Sequence, residues 1–373
     1  MKHYVGLDVS TKKTNVCIIN ENNEIVYRGI VKTEPKDIAE CLIKTQTNIA
    51  RIGIEASSLT TWLVTGLKNL GLPSICVDSR KMSAFIALEI NKNDDNDAEV
   101  IANAMRCGAY REVYCKSIES IDKLNILGAR SCLVRQRTTI TNTIRGLLKS
   151  YGIRIKKNEQ ISFPEAIQNA IGGLTEYVKN AIESLLSTFK TLQIETTRLD
   201  KEVNKLIKTD NVVQKFCDIP GIGPITALRF RAEIDDPKRF KNARACAANL
   251  GLTPKETSSG DITKLGRISK QGCSELRQLL TECGQSVLTT TKKWNKLKVW
   301  GTKIMNKKGL KKAKVAVARK LAVILYSMWV TGTGFIPGEV DDKVIAKLTK
   351  AKEDAKKKRK RKSKQNEPAA SIS

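Results

Sequence analysis

The stretch that decides the fold is "YVGLDVSTKKTNVCIIN", residues 4–20. "YVGLDVS" and "TNVCIIN" are apolar, β-branched runs broken by a polar turn, and "EIVYRGIV" follows after a second bend at Asn22-Asn23. Strand-forming runs separated by turn residues read as a β-meander over residues 1–31. One feature does not suit an ordinary core strand. Asp8 lies inside the first run, where an unpartnered carboxylate facing a core would be costly.

Outward from the meander, the chain alternates. "EPKDIAECLIKTQ" reads as helix, "ARIGIEAS" as strand, "LTTWLVTGLKNLG" as a helix ending at Gly71, and "PSICVDS" as another strand. The alternation predicts a mixed α/β sheet covered on both faces. Glu55 ends the strand "IGIE", just before a helix whose start is marked by "SSLT". Asp94 and Asp97, in "NKNDDNDAEVIANAMR", stand three apart and so on one helical face. Two strand carboxylates and an aspartate pair at a helix start suit one Mg²⁺ site, because that ion takes hard oxygen ligands. Each acid has a plainer reading. Asp94, Asp95 and Asp97 favour a helix N-terminus, Glu55 is a strand-end residue, and Asp95 competes with Asp94 for the pair.

From about residue 83 the pattern turns helical, through "LVRQRTTITNTIRGLLKSYG". Val178, Ile182, Leu185, Phe189, Leu192, Thr196, Leu199, Val203 and Leu206 then follow a 4-3-4-3 spacing. That heptad seam argues for a coiled coil or a long helical hairpin, against one amphipathic helix packed on its own domain. In "CDIPGIGPITALRF", Gly221 and Gly223 resemble a helix-hairpin-helix turn whose amides approach a phosphate; a plain glycine-rich connection is the alternative.

The balance of 66 Lys+Arg against 38 Asp+Glu gives +28, of which residues 343–364 supply +10. The folded body is therefore basic too, which suits a polyanion such as nucleic acid; a solvated basic surface is the bland alternative. The ten cysteines stand at least eight residues apart and His3 is the one histidine, which excludes a Cys/His zinc site and suits reduced, mostly buried thiols. No secretion signal and no membrane span are expected; "LAVILYSMWV" is too short to cross a bilayer. After Leu348 large apolar residues almost vanish, so 341–373 reads as a basic disordered tail.

"GLTPKETSSGDITKLGRISKQG", residues 251–272, holds two adjacent serines with no catalytic base nearby. On its own it reads as a serine-glycine turn. Together with "IPGIGP" before it, and with "YVGLDVSTKKTNV", "GIEAS", "NDDNDAEVIA" and "LVRQRTTITNTIRGLL", it strongly resembles the insertion-sequence 110 family of transposases over about residues 4–330. Asn93 and Asp95 replace a threonine and an arginine common there, and Asp261 replaces a glycine.

The resemblance implies a RuvC-like (RNase H-like) DEDD catalytic domain at 1–150. After it come a coiled-coil linker and oligomerisation region at 151–210 and a mainly α C-terminal transposase domain at 211–340. It implies that Asp8, Glu55, Asp94 and Asp97 hold Mg²⁺ while Ser258, or Ser259 beside it, attacks a DNA phosphate covalently. A serine hydroxyl needs a base or a metal for that attack, and a phosphoserine retains the bond energy for strand exchange. Further implied are donor and target DNA, a structured guide (bridge) RNA, homodimers assembling to a homotetramer, and a prokaryotic, cytoplasmic, nucleoid-associated site of action. Arg135, Arg137, Arg145, Lys149, Lys264, Arg267 and Lys270 are candidates for phosphate contacts. Two rival readings stand beside it: a hydrolytic RuvC-like nuclease or junction resolvase, and a non-catalytic nucleic-acid-binding protein.

Overall fold

A computed structural model describes residues 1–79, 82, 94–155, 161–259 and 262–351, with the side chains of 94, 95, 258, 259, 262 and 263 outside the description. It divides into two compact units, Met1–Ser117 and Ile118–Ser373.

The first unit is the expected mixed sheet. β1 (His3–Val9), β2 (Lys13–Asn20) and β3 (Ile25–Lys32) form the antiparallel meander. β4 (Ile49–Glu55) lies parallel to β1 and to β5 (Ser74–Val77), and the short β6 (Glu112–Val113) closes the edge antiparallel. The order is β3-β2-β1-β4-β5-β6. Because side chains alternate along a strand, Val5, Leu7, Val16, Ile18, Ile52 and Ile54 project to one face. There they bury against α1 (Pro35–Lys44) and α2 (Thr60–Asn69). Each such side chain contributes about 1.5–3 kcal/mol of apolar burial. The opposite face, with Tyr4, Cys17 and Ile19, packs on Ala98, Ile101, Ala102 and Met105 of α3 (Asp94–Cys107).

The second unit opens with α4 (Ile118–Lys149), whose partner is α6 (Glu176–Thr209). The two run antiparallel. Ile144 and Leu148 meet Ile182 and Leu186 at one end, Arg130 pairs with Asp200, and Lys123 reaches Asp210 at the other end. α5 (Phe163–Ala170) caps the first end through Ile167. Every heptad position from Val178 to Leu206 is buried or half-buried, so the seam faces its own chain. The seam expected to join protomers is thus occupied within the hairpin, since α4 carries a matching apolar stripe. This pairing also places 118–149 in the second unit, where the sequence boundary stood at 150.

The rest is helical: α7 (Asn211–Cys217), α8 (Pro224–Ile234), a 3-10 turn at Pro237–Arg239, and α9 (Ala243–Asn249). Beyond a two-stranded ribbon, β7 (Pro254–Ser259) and β8 (Ile262–Ile268), come α10 (Ser274–Thr289), α11 (Lys296–Lys308) and α12 (Leu310–Thr331). Phe216, Phe230, Leu250, Leu280 and Leu321 are among its fully buried side chains. The stretch read as the start of a disordered tail is helical over 342–351, with Leu348 buried; 352–373, including the lysine-arginine run, lies outside the described residues. Among the described residues, no helix is long and apolar enough to cross a membrane.

Candidate active site

The acidic edge is built by two glycines. β1 and β4 pair in parallel register with Gly6 beside Gly53 and Leu7 beside Ile54. One residue further on, at the C-terminal ends of these central strands, stand Asp8 and Glu55, both half-buried. Two-residue alternation puts Gly6 and Asp8 on one face, and likewise Gly53 and Glu55. α3 covers that face at backbone contact distance. A Cβ on Gly6 would lie 1.9 Å from the Ala98 carbonyl oxygen and 2.5 Å from the Ala102 nitrogen, and one on Gly53 would meet Met105 and Ile101 at under 3 Å. At the far end, Arg51 Nη1 donates to the Met105 carbonyl at 3.5 Å.

α3 therefore runs antiparallel to β1 and β4. Its first turn, Asp94 to Asp97, overhangs the strand ends that carry Asp8 and Glu55. Asp97 is half-buried and precedes Ala98, the residue over Gly6. The side chain of Asp94, the fourth candidate, lies outside the described residues, and among the described side chains no three acidic, histidine or cysteine groups close on a single point. The donor set is all carboxylate oxygen, which fits Mg²⁺ and would not fit a soft metal.

Several supports escaped the sequence reading. Thr60 donates to the Glu55 carbonyl at 2.6 Å and accepts from the Ser57 amide at 2.8 Å, fixing the backbone at the strand end. Arg28 on β3 pairs with Glu99 and ties α3 to the sheet. The signal for the glycines was present in "GLD" and "GIE", the same glycine-apolar-acid triplet on both strands.

The serines lie at the end of the ribbon. Ser258 is in register with Thr263 and Ser259 with Ile262, joined through 260–261, which lie outside the described residues. Lys264, Leu265 and Arg267 are exposed, so β8 presents cations and one bare leucine to solvent. The ribbon's base is held rigidly. Gly251 and Gly272 both take positive φ, and a Cβ on either would strike backbone oxygen, Gln271 at 2.2 Å or Asn249 at 2.0 Å. Arg277 closes the clamp by donating to the carbonyls of Leu250 at 3.2 Å and Gln271 at 2.9 Å. Lys270 is exposed beside it in the left-handed region, φ 57°.

The remaining candidates separate by environment. Gly223 caps α8 with open space where a Cβ would sit, whereas Gly221, φ 90°, packs on Val287 and Cys283 of α10. Of the two, Gly223 has open space on its Cβ side. On α4, Arg135 and Lys149 are exposed and Arg137 is half-buried. Arg145 stacks on Phe163 at 5.4 Å, engaged with its own chain.

Residues 213–298 match the profile described as "Transposase IS116/IS110/IS902 family", and residues 5–153 match a DEDD transposase profile of the IS110 group. The chain is 28% identical over 328 residues to the transposase for insertion sequence element IS1111A of Coxiella burnetii, covering 87% of this chain and 88% of that one. It is 26% identical over 344 residues to a probable family 20 transposase of Pseudomonas aeruginosa, covering 90% and 98%. A putative transposase of Sinorhizobium fredii is 31% identical over 253 residues, 66% of this chain and 65% of that one.

Proposed function

Because the chain belongs to the IS116/IS110/IS902 family of transposases, which act on DNA by strand cleavage and transfer, we propose that it exchanges strands through a covalent phosphoserine, guided by a structured RNA. Ser258 is the nucleophile of this reading and Ser259 its neighbour in reserve. The carboxylates of Asp8, Glu55, Asp94 and Asp97 hold Mg²⁺, which when bound supplies positive charge to the phosphate oxygens and acidifies a nearby hydroxyl.

The serine Oγ forms its bond to phosphorus as the phosphate's bond to one deoxyribose oxygen breaks. The hydroxyl proton leaves to solvent and the released sugar oxygen takes one up. In the second step a sugar hydroxyl of the other strand attacks the same phosphorus, and the serine oxygen departs and is reprotonated. Each step exchanges one phosphoester for another, so no bond energy is lost to water. Arg135, Lys149, Lys264, Arg267 and Lys270 hold the backbone without reading sequence, leaving sequence to base pairing with the RNA. Homodimers, and tetramers built from them, complete this reading, with action in the bacterial cytoplasm at the nucleoid.

The single observation that supports it best is the paired ending of β1 and β4 at Asp8 and Glu55, beneath the first turn of α3. The test is to replace Ser258 and Ser259 separately by alanine and to trap protein–DNA adducts in Mg²⁺ with and without copurified RNA. Loss of both adduct and strand transfer in one serine variant supports the reading. Cleavage that persists in both, with no adduct in the wild type, leaves only hydrolysis.

A further inference from the structure

Between Glu282 and Glu339 the chain has no acidic residue, yet it carries eleven lysines and one arginine. Most of this charge sits on the hairpin of α11 and α12, whose turn is Gly309 at φ 81°. Lys303 and Lys307 lie four apart on the outer side of α11; Lys308, Lys311 and Lys312 surround the turn. All five are exposed, and none makes an ion pair among the described residues.

Two of these ammoniums stand where helix physics disfavours them. Lys311 and Lys312 occupy the first turn of α12, a 22-residue helix with no acidic residue there and no side-chain cap. A helix N-terminus carries about half a positive charge, so cations there repel it and anions are favoured. The inner faces explain why the hairpin persists: Ala313, Val317, Ala318 and Leu321 are fully buried, and Gly301 packs on Val317 and Leu288. The fold holds the repelling charges together instead of dispersing them.

We propose that the α11–α12 turn, through Lys303, Lys307, Lys308, Lys311 and Lys312, is a docking surface for the phosphate backbone of duplex DNA. The surface lies beyond residue 298, where the transposase profile match ends. It rests on the chain's action on DNA and is independent of serine chemistry. Lysines act there as point charges and read no sequence. Each phosphate neutralised contributes about 0.9 to the slope of log affinity against log salt.

The test compares two full-length variants in binding a 40-base-pair DNA duplex and an RNA duplex of equal length between 50 and 200 mM salt. One changes the five lysines to glutamine; the other changes Lys32, Lys36, Lys44, Lys68 and Lys190, all exposed elsewhere, to match the lost charge. Neither set of surface substitutions lowers the thermal melt, which circular dichroism checks. The turn variant is expected to flatten the DNA slope by about 4.5 units, so its loss of affinity across that salt range is about 500-fold smaller than wild type. The control changes it by less than one unit. Equal slopes in the two variants overturn the proposal, since net charge alone then explains binding. A flattened slope on RNA with an unchanged slope on DNA overturns it as well.

Discussion

Gly6→Ala tests the geometry of the acidic edge in one atom. The added Cβ would stand 1.9 Å from the Ala98 carbonyl oxygen, and ordinary contact begins near 3.4 Å. The oxygen belongs to backbone and the Cβ is fixed directly to the β1 backbone, so no side chain can turn aside, and α3 must retreat from β1 by about 1.5 Å. Overpacking of this kind costs about 1–3 kcal/mol. For a unit of Met1–Ser117 that corresponds to a fall in melting temperature of about 4–12 °C. Under the proposed carboxylate site, the same retreat carries Asp97 away from Asp8, and a misplacement of about 1 Å at a reacting centre costs roughly 100-fold in rate. The assay is differential scanning calorimetry paired with Mg²⁺-dependent strand cleavage. Gly128→Ala is the counterpart, because that glycine lies inside α4 with open space around it. It should stabilise by about 0.5–1 kcal/mol, the ordinary preference of a helix for alanine. A Gly6→Ala protein that melts and cleaves like wild type refutes the close approach of α3, and with it the overhang of Asp94 and Asp97.

The other predictions concern separate parts of the molecule. Gly221→Ala should lose about 2 kcal/mol, from its left-handed φ and its contact with Val287, whereas Gly223→Ala keeps stability and weakens DNA binding alone; denaturant titration beside a binding assay separates them. Asp210→Ala removes two amide acceptances at the start of α7 and leaves the buried Lys123 and the half-buried Arg231 without their shared carboxylate, for a loss of about 3 kcal/mol by urea titration. Hydrogen bonding from Cys76, with a smaller pull from the Lys68 ammonium, holds the Cys115 thiol down to about 7 against its burial. Its thiolate fraction thus rises with pH through neutrality, so alkylation by iodoacetamide should be half-maximal near pH 7, and Cys76→Ala, which removes the donor, should move that midpoint upward. Cys246, pushed up to about 12 by burial, should stay unmodified throughout.

Period and turn chemistry carried the first unit. The three-stranded meander, the strand ending at Glu55 and the two helices after it were all legible, because each strand has one buried face and each turn its polar residues. What was not legible was contact. "GLD" and "GIE" stand 47 residues apart, and nothing local says that both glycines lie under one helix. The heptad spacing marks a buried stripe, but a stripe does not name its partner. α4 supplied it through Leu127, Ile144 and Leu148, whose spacing is interrupted by Arg135 and Arg137. An arginine's place in the sequence does not tell that Arg145 lies over Phe163 while Arg135 faces water.

The paired α4 and α6 make a rod. At about 1.5 Å per residue, helices of 32 and 34 residues extend about 50 Å, the length of roughly fifteen base pairs of B-form duplex at 3.4 Å each. The α5 end of that rod is thereby held off from the helical body by most of that length. A heptad added to both arms would move that end outward by about 10 Å.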